Sequence, residues 1–147
     1  MEKKNQVGFI LRKITTEQFA IIESSFDKMN ENIEVSNSVR FTVDLNLKMV
    51  NAIVSVQFSQ EKGPFLILEI ACFFEIMEEN WIEMFNPELE QFTLPKSIAT
   101  HFVVLAVGTL RGVLHAKVEN TFLNGFLMPT INVIEMVKED IRIDTKA

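Results

Sequence analysis

The sequence predicts an α+β fold: a four-stranded antiparallel sheet with a long helix and a short C-terminal helix packed on one face. Three observations carry that expectation. Apolar and polar residues alternate with period two through much of the stretch from Val7 to Met77. Residues 98–118 (IATHFVVLAVGTLRGVLHAKV) then form a Pro-free apolar run of helical length. The strands precede the helix, and the last three are joined by short turns, which suits hairpins rather than crossover units.

Residues 7–23 read as the first strand, with a break near Thr15-Thr16. Residues 24–38 (SSFDKMNENIEVSNS) are polar and read as a long connection. Phe41, Val43, Leu45, Leu47 and Met49 then alternate with Thr42, Asp44, Asn46 and Lys48, the pattern of a half-buried strand. A turn at Val50-Asn51 leads into Ala52, Val54, Val56 and Phe58, which completes a hairpin. Lys62-Gly63-Pro64 gives a second turn. The fourth strand, Phe65 to about Met77, has an unbroken apolar face (Leu66, Leu68, Ile70, Cys72, Phe74, Ile76) and a mixed, partly covered one.

Residues 78–95 (EENWIEMFNPELEQFTLP) read as an acidic yet apolar linker, with Pro95 placed to start the helix. The helix has two apolar stripes: Ile98, Phe102 and Leu105, and Val103, Val107, Leu110 and Leu114. A helix that is apolar all round needs cover on two sides. The expected covers are the sheet and a second copy of the chain, with Phe102, Val103, Val107, Leu110 and Leu114 as interface residues; burial within one chain is the alternative. A membrane span is disfavoured because the uncharged run from Phe102 stops at Arg111, whereas a span needs roughly 20 mostly apolar residues. Thr121 to Asn132 (TFLNGFLMPTIN) is a second apolar loop, and residues 132–140 fit a short final helix capped by Asn132.

Composition narrows the function. The chain has 147 residues, one domain's worth, and a formal charge of −6. No basic cluster exceeds Lys3-Lys4, which argues against a nucleic-acid partner. The lone Cys72 excludes an internal disulfide, and a reducing, cytoplasmic location is expected. There are 13 Phe and seven Met but one Trp and no Tyr, so apolar area dominates the aromatic content.

A search for catalytic chemistry finds little. His101 and His115 lie on one helix, about 21 Å apart at ~1.5 Å per residue, too far to share a metal. Cys72 has no positive neighbour in sequence to lower its pKa. No phosphate-binding glycine loop, nucleophile elbow or CxxC occurs. No enzymatic activity and no cofactor is expected. The two apolar segments that flank the helix remain. They read either as caps on the core or as walls of a groove for extended apolar polypeptide, whose burial is weakly selective.

At this point the chain resembles the SecB-type protein-export chaperones. The order of elements is similar throughout residues 1–147, which would form one SecB-like domain. GPFLILEIACFFEI at 63–76, Phe102 with Arg111, and above all TFLNGFLMPTIN at 121–132 carry the likeness. Departures are Leu123 where the family usually has Pro, and Val133 where it has Phe. Ile67 falls where the family carries an acidic residue thought to dock the motor ATPase. Glu69 and Glu17 are the nearest docking residues this chain offers.

The resemblance implies an ATP-independent holdase for non-native chains, assembled as a dimer of dimers. It would bind clients along Trp81, Phe85, Phe92, Leu94, Phe122, Phe126 and Leu127, and possible partners include the translocation motor. Two alternatives stand beside it: a dedicated chaperone for one partner, such as an antitoxin, and a structural oligomer with no client role.

Overall fold

The computed structural model describes residues 7–145. Four strands, β1 (Phe9–Ile21), β2 (Glu34–Asp44), β3 (Met49–Gln60) and β4 (Gly63–Ile76), form an antiparallel sheet in the order β1-β4-β3-β2. The long helix α2 (Lys96–Val118) crosses one face. Between sheet and helix lie a short helix α1 (Glu78–Met84) and strands β5 (Phe85–Asn86) and β6 (Gln91–Leu94). A one-turn helix α3 (Val133–Met136) and strand β7 (Ile141–Asp144) follow, and β5-β6-β7 make a second, three-stranded sheet. The fold class is the expected one.

β1 runs without a break. Register shifts fall between Leu11 and Lys13 and between Thr16 and Gln18, so the residues facing the helix layer are Phe9, Leu11, Ile14, Thr16, Phe19 and Ile21. Each shift adds a residue and resets the alternation, which is why strict period two suggested an interruption at Thr15-Thr16.

The first hairpin turn is at 45–48, not at Val50-Asn51. The Asp44 carboxylate accepts from the amides of Asn46 (2.9 Å) and Leu47 (3.0 Å), and Lys48 takes a positive φ of 53°. This local turn chemistry outweighs the apolar character of Leu45 and Leu47, both left exposed. Val50 therefore belongs to the buried face with Ala52, Val54, Val56 and Phe58. The second turn is tighter, with Gly63 at φ 120°, a conformation that glycine adopts without strain.

α2 lays Ala99, Phe102, Val103, Ala106, Val107, Leu110, Leu114 and Val118 on the sheet. Phe102 stacks on Phe74 with centroids 4.0 Å apart, and Phe9 closes on Phe102 at 4.9 Å. The five residues expected at a subunit interface are thus all buried within one chain. Their spacing reports the sheet-facing side of a single helix.

The outward side of α2 presents Val104 (49% exposed), Leu105, Gly108, Gly112 and Ala116. By length and composition α2 could cross a membrane. In this fold its sheet side belongs to the core. Its N-terminus has no side-chain cap from Pro95; instead the Lys96 amide donates to the Asp140 carboxylate at 2.8 Å, which is well placed against the helix dipole.

Residues 78–95 are more ordered than a linker, and residues 137–140 lie outside the final helix. Asn132 does cap it: its side chain accepts from the Ile134 amide at 3.2 Å. The helix ends after one turn because the chain extends into β7, pairing Ile141 with Leu94 and Ile143 with Phe92.

Candidate polypeptide-binding surface

The seven residues expected to line a groove fall into two groups, one near each end of α2. The first is closed. Trp81 (5% exposed), Phe92 (0%) and Leu94 (0%) are buried, and Phe85 is partly so. Trp81 meets Phe92 at 4.8 Å and Phe85 at 6.4 Å between ring centroids. The second sheet organises this corner, since Phe85 pairs with Phe92 and Phe92 with Ile143. Trp81, Phe92 and Leu94 therefore act as core residues rather than as an exposed wall.

The second group is open. Thr121 turns the chain after α2: its hydroxyl donates to the Val118 carbonyl at 2.8 Å and accepts from the Leu123 amide at 3.1 Å. Leu123 then drops into the core, while Phe122 (51%) and Leu127 (61%) remain exposed.

Phe122 does not stand alone. Its ring lies 5.6 Å from that of Phe26, and Phe26 lies 6.0 Å from Phe126 and 4.9 Å from Phe65. Phe126 in turn rests on Phe58 (5.6 Å) and Phe65 (5.4 Å), both buried. Five phenylalanines thus form an aromatic platform with a buried floor and an exposed rim. Ring pairs in such edge and tilted geometries contribute ~0.5–1.5 kcal/mol beyond area burial, which holds the rim against its floor.

Phe26 was not among the expected site residues, because it is the only aromatic in a segment read as polar connection. A single Phe among Ser, Asp and Asn gives no periodicity to detect.

Two further openings are present, the second beside the loop that carries Phe26. One, of about 370 Å³, sits between the end of β2 and β7 and is lined by Phe41, Val43, Leu45 and Ile143 with Thr42, Asp144 and Thr145. The other, also about 370 Å³, is polar and lined by Asn30, Asn32, Glu34, Gln60 and Glu61.

The residues considered for motor docking are engaged locally. Arg40 donates to the Glu69 carboxylate at 3.4 Å, and the Glu17 carboxylate accepts from the Thr15 hydroxyl. Ile67, Glu69 and Glu75 lie on the sheet face away from α2, where Arg12 pairs with Glu75 and Lys13 lies over the Phe73 ring. Positive and negative groups alternate there.

Cys72 is buried on the helix side. Burial pushes its thiol pKa up, with the Thr109 hydroxyl pulling the other way, so the thiolate needed for nucleophilic attack is disfavoured. His101 and His115 are both exposed on α2, and His101 stands against the Phe9 ring at 5.4 Å. Among the described residues no group of three or more His, Cys, Asp or Glu gathers where it could hold a metal.

No protein-family model matches the chain, and no curated protein does. Solved structures do. One is the SecB-like chaperone Rv1957 of Mycobacterium tuberculosis, determined in complex with a ChAD peptide from the HigA1 antitoxin. It matches with a TM-score of 0.53 at 12% identity, over 84% of this chain and 90% of that one. A protein of unknown function from Streptococcus agalactiae matches at 13% identity with a TM-score of 0.39, over 85% and 99% of the two chains. At these identities the first match speaks to architecture alone, and that architecture is SecB-like.

Proposed function

We propose that the protein is an ATP-independent holdase that buries exposed apolar segments of non-native polypeptides. The aromatic platform carries the proposal: Phe26, Phe122 and Phe126 over a floor of Phe58 and Phe65, with Leu127 exposed on the same loop. A large apolar side chain moved from water onto such a surface gains roughly 1.5–3 kcal/mol when fully covered. Several such contacts bind a disordered chain without reading its sequence. The SecB-like fold supports the reading, because the neighbour of that fold from M. tuberculosis is a chaperone solved with a peptide.

On this reading the protein works in the cytoplasm and as a homo-oligomer, a dimer of dimers, with the outward side of α2 as one contact. Val104 and Leu105 are exposed there, and a Cβ added at Gly108 or Gly112 would meet nothing within 4 Å. Their own chain leaves both glycines uncovered, so another helix can approach closely.

Export is the broader role. A dedicated chaperone for one partner is the second reading, favoured by Ile67 and by Glu69 being tied to Arg40 where a motor would need free acidic groups.

Light scattering from a refolding client tests the holdase reading. Aggregation is expected to fall as the chaperone is raised to molar excess without nucleotide. An unchanged curve rejects it. Capture by the translocation motor separates the two roles, since a dedicated chaperone leaves the motor unbound.

A further inference from the structure

Gln60 is the only buried polar or charged residue among those described, 8% exposed at the last position of β3. Its side chain is fully engaged with the loop after β1. Oε1 accepts from the Asp27 amide at 2.8 Å. Nε2 donates to the Asp27 carbonyl at 3.1 Å and to the Asn30 carbonyl at 2.8 Å. One amide therefore treats Asp27 as a neighbouring strand would, pairing both its N–H and its C=O.

The loop has no regular secondary structure beyond this point until β2. It is otherwise held by local turns: the Asp27 carboxylate accepts from the Met29 amide and the Asn30 side chain from the Asn32 amide, each at 2.9 Å. Those turns shape the loop but do not tie it to the sheet.

The residue next to the clamped position is Phe26, the member of the platform that bridges the exposed Phe122 ring to the buried Phe65 ring. Fixing both backbone groups of Asp27 fixes the carbonyl end of Phe26, and its amide is already bonded to the Glu23 carbonyl at 3.0 Å. With the clamp open, Phe26 loses its anchor on the C-terminal side and Phe122 loses the ring beside it. A buried amide that satisfies three partners is costly to disrupt: the Asp27 amide and the Asn30 carbonyl lose their bonds to it, and the Asp27 carbonyl keeps only the Asn30 amide at 3.2 Å.

We infer that Gln60 is a positioning residue for polypeptide binding: by clamping Asp27 and Asn30 it holds Phe26 as one wall of the platform, ready for an apolar or aromatic side chain of an extended client. The inference rests on the proposed holdase function. Pre-ordering matters here because a rim that must be ordered by the client binds more weakly by the cost of that ordering.

The test uses the full chain and a fluorescein-labelled extended peptide rich in Phe and Leu, with Kd measured well below the unfolding temperature. Phe122→Ala is expected to raise Kd about tenfold, the scale of one large apolar contact. Phe26→Ala and Gln60→Leu are each expected to raise it several-fold. The decisive variant combines them. If Gln60 acts through Phe26, adding Gln60→Leu to Phe26→Ala changes Kd no further.

Multiplying effects in the double variant, or a wild-type Kd for a folded Gln60→Leu, overturn the inference and leave Gln60 a purely structural residue. Where Gln60→Leu fails to fold, Gln60→Met replaces it: it keeps the length of the side chain but cannot donate to the Asp27 and Asn30 carbonyls. The same non-additivity with Phe26→Ala is required of it. A wild-type Kd for Phe122→Ala rejects the platform as the binding site; a raised Kd there with an unchanged Gln60→Leu rejects only the clamp.

Discussion

At the N-terminal end of α2, Phe85, Phe92 and Leu94 belong to a small sheet, Trp81 packs against Phe92, and the group is largely sealed. At the C-terminal end, Phe126 sits on Phe58 and Phe65, Phe122 leans on Phe26, and Phe122 and Leu127 remain in solvent. Both segments are rich in aromatic and aliphatic residues and both flank the same helix. What separates them is backbone pairing. Residues 85–94 are drawn into β5 and β6 and then joined by β7, so alternate side chains turn inward. Residues 121–131 form no ladder; they turn on Thr121 and Gly125, the latter at φ 104°. Every second residue therefore has no common inner face to occupy. In these two segments, pairing into a sheet turns Phe92 and Leu94 into core, while the irregular one leaves Phe122 and Leu127 exposed.

The largest expected effect tests the closed end. Phe92→Ala removes a fully buried ring and should cost ~3–5 kcal/mol of stability in chemical denaturation. Peptide affinity of the remaining folded protein should be unchanged. A specific loss of affinity at preserved stability would make this corner a binding wall after all.

The stretch between the two ends gives the next effect. Gly108→Leu fills open space on the outward side of α2 and raises helix propensity by about 1 kcal/mol relative to glycine, so the chain should fold at least as well. The particle mass by light scattering should fall from that of a dimer of dimers to that of a dimer, twice the 16.9 kDa of one chain. An unchanged oligomer mass moves the contact elsewhere.

The smallest effect concerns the electrostatic tie of the closed corner. Lys48 donates to Glu78 at 2.7 Å, linking the first hairpin turn to the start of α1. This hydrogen bond and the lysine's charge lower the Glu78 pKa from its ordinary value. Folding lowers the pKa, so the stabilisation is present above the ordinary carboxylate value and is lost as pH falls through the depressed one. Lys48→Met should return the Glu78 titration, followed by NMR, toward the usual carboxylate range and flatten that part of the acid limb. The pair is exposed, so the change in stability should be slight.

Much of the fold was legible in the sequence. The alternation in β3 and β4 and the length of α2 give sheet and helix directly, and Pro95 and Asn132 mark helix starts correctly. What stayed hidden has physical causes. β5, β6 and β7 are two to four residues long, too short for a period to show. The bulges of β1 shift alternation by single residues, and the Asp44 turn ends β2 inside a run that still alternates.

The stripe from Val103 to Leu114 was found, but spacing alone does not say whether a sheet or a second subunit covers it. Composition marked residues 121–132 as an apolar loop and the SecB resemblance picked out Phe122, Phe126 and Leu127 within it, whereas Phe26 and Gln60 join the proposed site only through contacts made across the fold. Val104 and Leu105 complete the outward face of α2, which becomes visible once the sheet side is known.

One measurement bears most directly on the difference between the two ends: the affinity of a labelled apolar peptide for wild type, for Phe122→Ala/Leu127→Ala, and for Phe92→Leu. The open-end variant should bind at least tenfold more weakly with its unfolding midpoint nearly unchanged, while Phe92→Leu should lose stability and keep its affinity. The reverse pattern, with affinity following Phe92 and indifferent to Phe122 and Leu127, would contradict the account.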